Sequence, residues 1–117
     1  MSNLKVDSVR SSSSGTIGRA VSQARNARLV LDSSSRPQLD TLTNSEAFLA
    51  GVASCGVTLI EMHAKETAVP LAHMDVVIEG MRTAEEPNRF ASVTMRFALR
   101  GVSQAQAEEL VATYRNR

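Results

Sequence analysis

The stretch TNSEAFLAGVASCGVTLIEMHAKE, residues 43–66, decides the fold. Thr43 followed three positions later by Glu46 is the pattern of a capping box, in which hydroxyl and carboxylate each satisfy a backbone amide left open at a helix start. From there Phe48, Val52, Cys55, Leu59 and Met62 recur at intervals of three and four, while Leu49, Ala53, Val57 and Ile60 fill a neighbouring face. Polarity returns with Glu61, His63, Lys65 and Glu66, and Pro70 sets a boundary just beyond. The spacing predicts one helix of about six turns, on the order of 33 Å long. It is apolar over most of its circumference and is therefore expected to be central and enclosed. Gly51 and Gly56 each weaken it by roughly 1 kcal/mol relative to alanine, a cost expected where a neighbouring backbone packs closely. The uncharged run AFLAGVASCGVTLI is short for a membrane span and suits a buried core helix.

On the N-terminal side, strands are expected at Lys5–Arg10, Ile17–Gln23 and Ala27–Leu31. The serine run SSSSG separates the first two, as a turn or a flexible loop, and Arg25 and Asn26 turn the chain between the second and third. Residues 33–41, with Arg36 and Pro37, connect to the helix. On the C-terminal side, Met74, Val76 and Ile78 alternate with Asp75 and Glu79, and Ala91, Val93, Met95, Phe97 and Leu99 alternate with polar residues. AEEPN is the turn that pairs these strands as an antiparallel hairpin. Ser103 and Gln106 form a second capping box, and Ala107, Leu110, Val111 and Tyr114 give the following shorter helix an apolar stripe. The order predicts an α+β class, with helices against antiparallel sheet.

At 117 residues and 43% hydrophobic content, one domain over residues 1–117 with one core is expected. Thirteen basic residues against twelve acidic leave a formal charge of +1, and neither sign gathers into runs. Neither nucleic acid nor membrane is therefore an expected partner. No signal-peptide pattern is evident and a cytoplasmic location is expected. Cys55 is the chain's one cysteine, so no internal disulfide forms and the thiol serves either packing or chemistry. His63 and His73 have no ligand-like spacing to it, so no metal and no organic cofactor are expected.

The segment NSEAFLAGVASC followed by GVTL resembles the helix motif of the OsmC/Ohr-type proteins, in which a cysteine follows an acid by nine or ten positions. Ser45, Glu46 and Cys55 match it at nine. DVVIEG, VTMRFALRG and SQAQAEEL are similar to the family's later strands and last helix, so the resemblance covers nearly the whole chain. It implies an intertwined homodimer with sites at the subunit interface, reducing organic hydroperoxides through the helix cysteine at the expense of a thiol reductant. Two-cysteine members carry a second cysteine, commonly followed by proline, just after the last helix. That segment is expected to be lacking here, through truncation or through kinship with one-cysteine members.

A peroxide is attacked by the thiolate, and an unperturbed thiol is mostly protonated at neutral pH, so a cation is needed beside Cys55. The start of its own helix is too far away to act. Arginine suits the role, because its planar fork binds a carboxylate and faces an anion together. The resemblance implies Cys55 as nucleophile, Glu46 as the orienting carboxylate and Arg19, in GTIGR, as the activating arginine; Arg36 is the runner-up. A thiol so used is expected to be shielded from bulk water and reached by an apolar channel. The competing reading is a non-catalytic dimer that binds a small hydrophobic molecule, with Cys55 as core packing, Glu46 as a cap only and Arg19 as a solvated strand residue.

Overall fold

A computed structural model describes residues 4–115, and the chain divides into two compact units, Met1–Phe48 and Leu49–Arg117, which are taken one at a time. In the first unit, β1 (Arg10–Ser13), β2 (Arg19–Ala24), β3 (Ala27–Asp32) and β4 (Leu42–Thr43) lie side by side in that order. The first three are antiparallel, and β4 runs parallel to β3. Arg25 and Asn26 form the turn between β2 and β3, with Arg25 at φ +54°. A turn of that length sets the register: Ala24 faces Ala27, and stepping outward brings Arg19 opposite Asp32.

Two expectations for this unit are corrected. The serine run is not a loop but most of β1, because a ladder needs only backbone groups; its exposed edge is stitched by a Ser11 Oγ to Ser22 Oγ hydrogen bond of 2.8 Å. Of the expected strand Lys5–Arg10, only Arg10 is in a strand. Arg10 pairs with Gln23, and β2 ends one residue later at Ala24, so the residues before Val9 run past the end of β2.

The second unit holds most of α1 (Asn44–Glu66), then β5 (His73–Met81), β6 (Ser92–Arg100) and α2 (Gln104–Arg115). β5 and β6 form the expected antiparallel pair, with Met74 opposite Leu99, Val76 opposite Phe97 and Ile78 opposite Met95 on one face. Ile60 and Ala64 of α1, Met74 of β5 and Leu110 of α2 are buried together, and Val57, Val76, Phe97 and Tyr114 pack around them. α1 ends where Ala68 turns left-handed at φ +57°. The Ala68 amide donates to the Lys65 carbonyl and the Val69 amide to the Ala64 carbonyl, the two bonds of a Schellman cap. The second capping box forms as expected: Ser103 N donates to Gln106 Oε1 at 2.9 Å and Gln106 N to Ser103 Oγ at 3.1 Å.

Within one chain α1 is less enclosed than its composition suggests. Gly56, Ile60 and Ala64 are its buried residues, whereas Phe48 is 60% and Met62 59% exposed. By length and composition alone the whole helix is apolar enough to cross a membrane, though the uncharged run at its centre is shorter. Its Gly56–Ile60–Ala64 stripe lies in the core of the second unit, the role of a core helix. The two glycines also differ from expectation. A Cβ at Gly56 would lie 3.3 Å from Tyr114 Cζ and 3.5 Å from Met95 Cε, so side chains rather than a backbone approach there, and at Gly51 no described residue comes within 4 Å apart from the helix's own backbone and the adjoining residues.

Candidate active site

The register that places Arg19 opposite Asp32 builds the best-defined polar cluster of the first unit. Arg19 Nε donates to Asp32 Oδ1 at 2.8 Å and Nη2 to Asp32 Oδ2 at 3.1 Å, a fork-on-carboxylate pair. Nη2 also donates to Asp40 Oδ1 at 3.3 Å. Thr41 Oγ1 donates to Asp32 Oδ2, so the carboxylate joins β2, β3 and the approach to β4. Asp32 is 1% exposed. The hydrogen bond from Arg19, followed by that from Thr41, holds the Asp32 carboxyl below the usual carboxylate range, although burial works against it. The same hydrogen bond raises the Arg19 guanidinium above its already high range, so the pair is charged throughout neutral pH.

Both candidate arginines line one cleft of about 390 Å³, together with Ile17, Gly18, Asp32 and Gln38. They are held differently. Arg19 is gripped by two carboxylates, whereas the exposed Arg36 guanidinium has no hydrogen-bonded or ion-paired partner among the described residues. The loop that carries Arg36 is fastened to the helix start by Ser34, whose Oγ lies 2.7 Å from Ser45 Oγ and accepts from Ser45 N at 3.3 Å.

Glu46 is found in its capping role. Its Oε1 accepts from Thr43 N at 2.9 Å, and its own amide donates to Thr43 Oγ1 at 3.2 Å. The ion pairs of Arg19 are with Asp32 and Asp40 rather than with Glu46. Cys55 stands nine positions after Glu46 on α1, which at about 100° per residue is two and a half turns, so the two side chains leave the helix on opposite sides. Cys55 is exposed, and the shielding expected of it is not provided within a single chain. Along the helix it falls in line with Phe48 and Met62, each seven positions away, forming an exposed apolar stripe.

His63 lies about 12 Å along the axis from Cys55, too far for direct proton transfer. Its Nδ1 is buried and has no hydrogen-bond partner among the described residues. His73 pairs with exposed Asp75 at 3.3 Å. Among the described residues, no group of three or more His, Cys, Asp or Glu side chains is placed to hold a metal ion.

The residue that sequence reasoning missed is Asp32. It stands at the end of the apolar run RLVL, where it passes for the polar close of a strand. The signal was available: once Arg25 and Asn26 form the turn, counting outward places Asp32 beside Arg19.

No family model matches the chain, and neither does any curated protein. Solved structures do. The OsmC-like protein of Mycoplasma pneumoniae superposes with a TM-score of 0.81 at 13% identity, over 97% of this chain and 82% of that one. An organic hydroperoxide resistance protein OsmC from Legionella pneumophila gives 0.72 at 18% identity, over 98% and 85%. The organic hydroperoxide resistance protein OhrB of Bacillus subtilis gives 0.68 at 16% identity, over 96% and 84%. A four-stranded mixed sheet, a long helix, an antiparallel strand pair and a shorter helix in this order, matched over nearly the whole chain, make this an α+β protein of the OsmC/Ohr-like fold.

Proposed function

We propose that the chain is a single OsmC-like domain that works as a homodimeric, thiol-dependent peroxidase on organic hydroperoxides, with Cys55 as nucleophile and Arg19 as the activating cation. The observation that carries this reading is the exposed thiol of Cys55 on the apolar helix of a fold shared with two proteins named for organic hydroperoxide resistance. In the reaction, the Cys55 thiolate attacks one peroxide oxygen. An S–O bond forms, the O–O bond breaks, and the departing alkoxide takes a proton to leave as the alcohol. Sulfur is oxidised by two electrons to sulfenic acid and the peroxide is reduced by two. Two equivalents of a thiol reductant then return Cys55 to the thiol, releasing water and their own disulfide.

Glu46 serves as the helix cap, and in this reading the orienting role expected of it falls to the carboxylates on Arg19, Asp32 and Asp40; Arg36 remains the second candidate for the cation. Dimerisation is supported by the stripe of Phe48, Cys55 and Met62, an apolar surface that one chain leaves open to water. An isologous pair burying on the order of 2,000 Å² or more is expected. A partner across that stripe also provides the apolar approach that a bulky alkyl peroxide favours, at about 0.8 kcal/mol per buried methylene.

The experiment is stoichiometric oxidation with tert-butyl hydroperoxide and with hydrogen peroxide, followed by intact mass and a sulfenic-acid trap. Selective gain of one oxygen at Cys55, faster with the alkyl peroxide and abolished by Cys55→Ser, supports the proposal. Peroxide consumption that persists in Cys55→Ser refutes it. Light scattering that gives a folded monomer at micromolar concentration refutes the dimer.

A further inference from the structure

We infer that Asp32 is a positioning residue for Arg19, fixing which edge of the guanidinium is left to meet an anion; this rests on the reading of Cys55 and Arg19 given above. Arg19 offers five N–H groups. Nε and Nη2 are spent on the two oxygens of Asp32, and Nη2 donates again to Asp40. Nη1 makes no hydrogen bond to any described residue, so its two N–H groups are the ones free to bind a thiolate or a peroxide oxygen. The grip is firm because Asp32 is itself held: it is 1% exposed, sits opposite Arg19 in the β2–β3 ladder, and accepts a third bond from Thr41. Asp40, the other carboxylate on Arg19, is 76% exposed and cannot hold a plane in the same way. A guanidinium without Asp32 keeps its charge and loses its direction. In a reaction that depends on geometry, misplacement on the order of 1 Å is enough to slow the step about a hundredfold.

The placement has a second consequence. Asp32 pairs in the ladder with Arg19 and, through the parallel strand, with Thr43, the residue that caps α1. One residue thus links the start of β2, through its side chain, and the entrance of α1, through its backbone pairing. Positioning by Asp32 thus rests on the register of the first unit's strands together with the bond that Thr41 adds at the end of the 33–41 connection.

The test follows the rate of Cys55 oxidation by tert-butyl hydroperoxide against pH, read by intact mass, in the full chain and in Arg19→Ala, Asp32→Asn, the double variant and Cys55→Ser. Asp32→Asn is expected to slow oxidation about tenfold to a hundredfold and to move the pH profile in the same direction as Arg19→Ala. In the Arg19→Ala background, Asp32→Asn is expected to change neither rate nor profile, an interaction that a general loss of stability would not produce. A profile for Asp32→Asn that overlays the parent, while that of Arg19→Ala is shifted, overturns the role of Asp32 and leaves the peroxidase reading intact. Oxidation that does not occur at Cys55, or that ignores Arg19→Ala, overturns both. Should Asp32→Asn fail to fold, Thr41→Val, which removes one of the bonds on Asp32 and keeps its charge, replaces it. Its expected shift is smaller and in the same direction, and an unshifted profile counts against the inference.

Discussion

Gly56→Ala tests the packing of α1 against the second unit, because two opposing effects meet at one atom. Replacing glycine by alanine in a helix interior stabilises by about 1 kcal/mol. The new Cβ, however, would lie 3.3 Å from Tyr114 Cζ and 3.5 Å from Met95 Cε. Tyr114 has little freedom to withdraw: its hydroxyl lies 3.5 Å from the Val52 carbonyl and 3.8 Å from Met95 sulfur, and its ring meets Phe97 edge-on at 6.0 Å. Overfilling a packed site of this kind costs about 1–3 kcal/mol. The net expectation is a destabilisation of about 1 kcal/mol, which for a chain of this length lowers the melting temperature by about 4 °C. Thermal melting of Gly56→Ala, Tyr114→Ala and the double variant checks the argument, since the substitution becomes stabilising by about 1 kcal/mol once the ring is gone. A Gly56→Ala protein that melts above the parent with Tyr114 in place would refute the reasoning.

Ala68→Gly relieves a left-handed residue at the Schellman cap of α1, and is expected to raise stability by about 0.5–1 kcal/mol in chemical denaturation; a loss of stability would show that the cap is not formed. Thr43→Ala removes the hydroxyl half of the first capping box and is expected to cost about 1 kcal/mol in the same assay, whereas an unchanged midpoint would mean that water replaces it fully. The Asp32 carboxyl is held below its ordinary value of about 3.9, so its contribution to stability is complete above that value and is lost as pH falls through the lower folded one. Acid titration of the melting temperature should therefore fall more steeply for the parent than for Asp32→Asn, and parallel curves would deny the shift; Arg19, raised, stays charged across this window and contributes no slope. Gly51→Leu adds bulk where the single chain leaves open space, beside the Phe48–Cys55–Met62 stripe. It is expected to weaken the proposed dimer about tenfold or more by sedimentation, as overpacking of 1–3 kcal/mol implies, while an unaltered association would place the partner elsewhere.

Most of the architecture was legible because it rests on periodicity and on turn chemistry. The alternation of Met74, Val76 and Ile78 against Met95, Phe97 and Leu99 reads directly as a paired face, and both capping boxes occur at the residues that spell them. The edge strand β1 was not legible, since Arg10–Ser13 has no apolar side chain to reveal a face and is held by backbone pairing alone. β4 escaped because two residues are too few to show a period. At the candidate site, Cys55, Glu46, Arg19 and Arg36 were all marked by residue type or by resemblance. Their partners were not: the engagement of Arg19 by Asp32 is a matter of register, which residue type does not announce. Helix burial was overestimated for a related reason, as an apolar composition does not state which faces the rest of the chain reaches.

The half-turn between Glu46 and Cys55 bears on how spacing in such a helix should be counted. A tenth intervening step would swing the sulfur to about 80° from the acid instead of opposite it, and advance it by only about 1.5 Å along the axis. A sequence pattern that treats nine and ten as one class thus merges two angular designs that differ little in length and greatly in heading. In a chain of nine, like this one, the acid and the sulfur leave opposite faces of the helix, so different neighbours supply their surroundings.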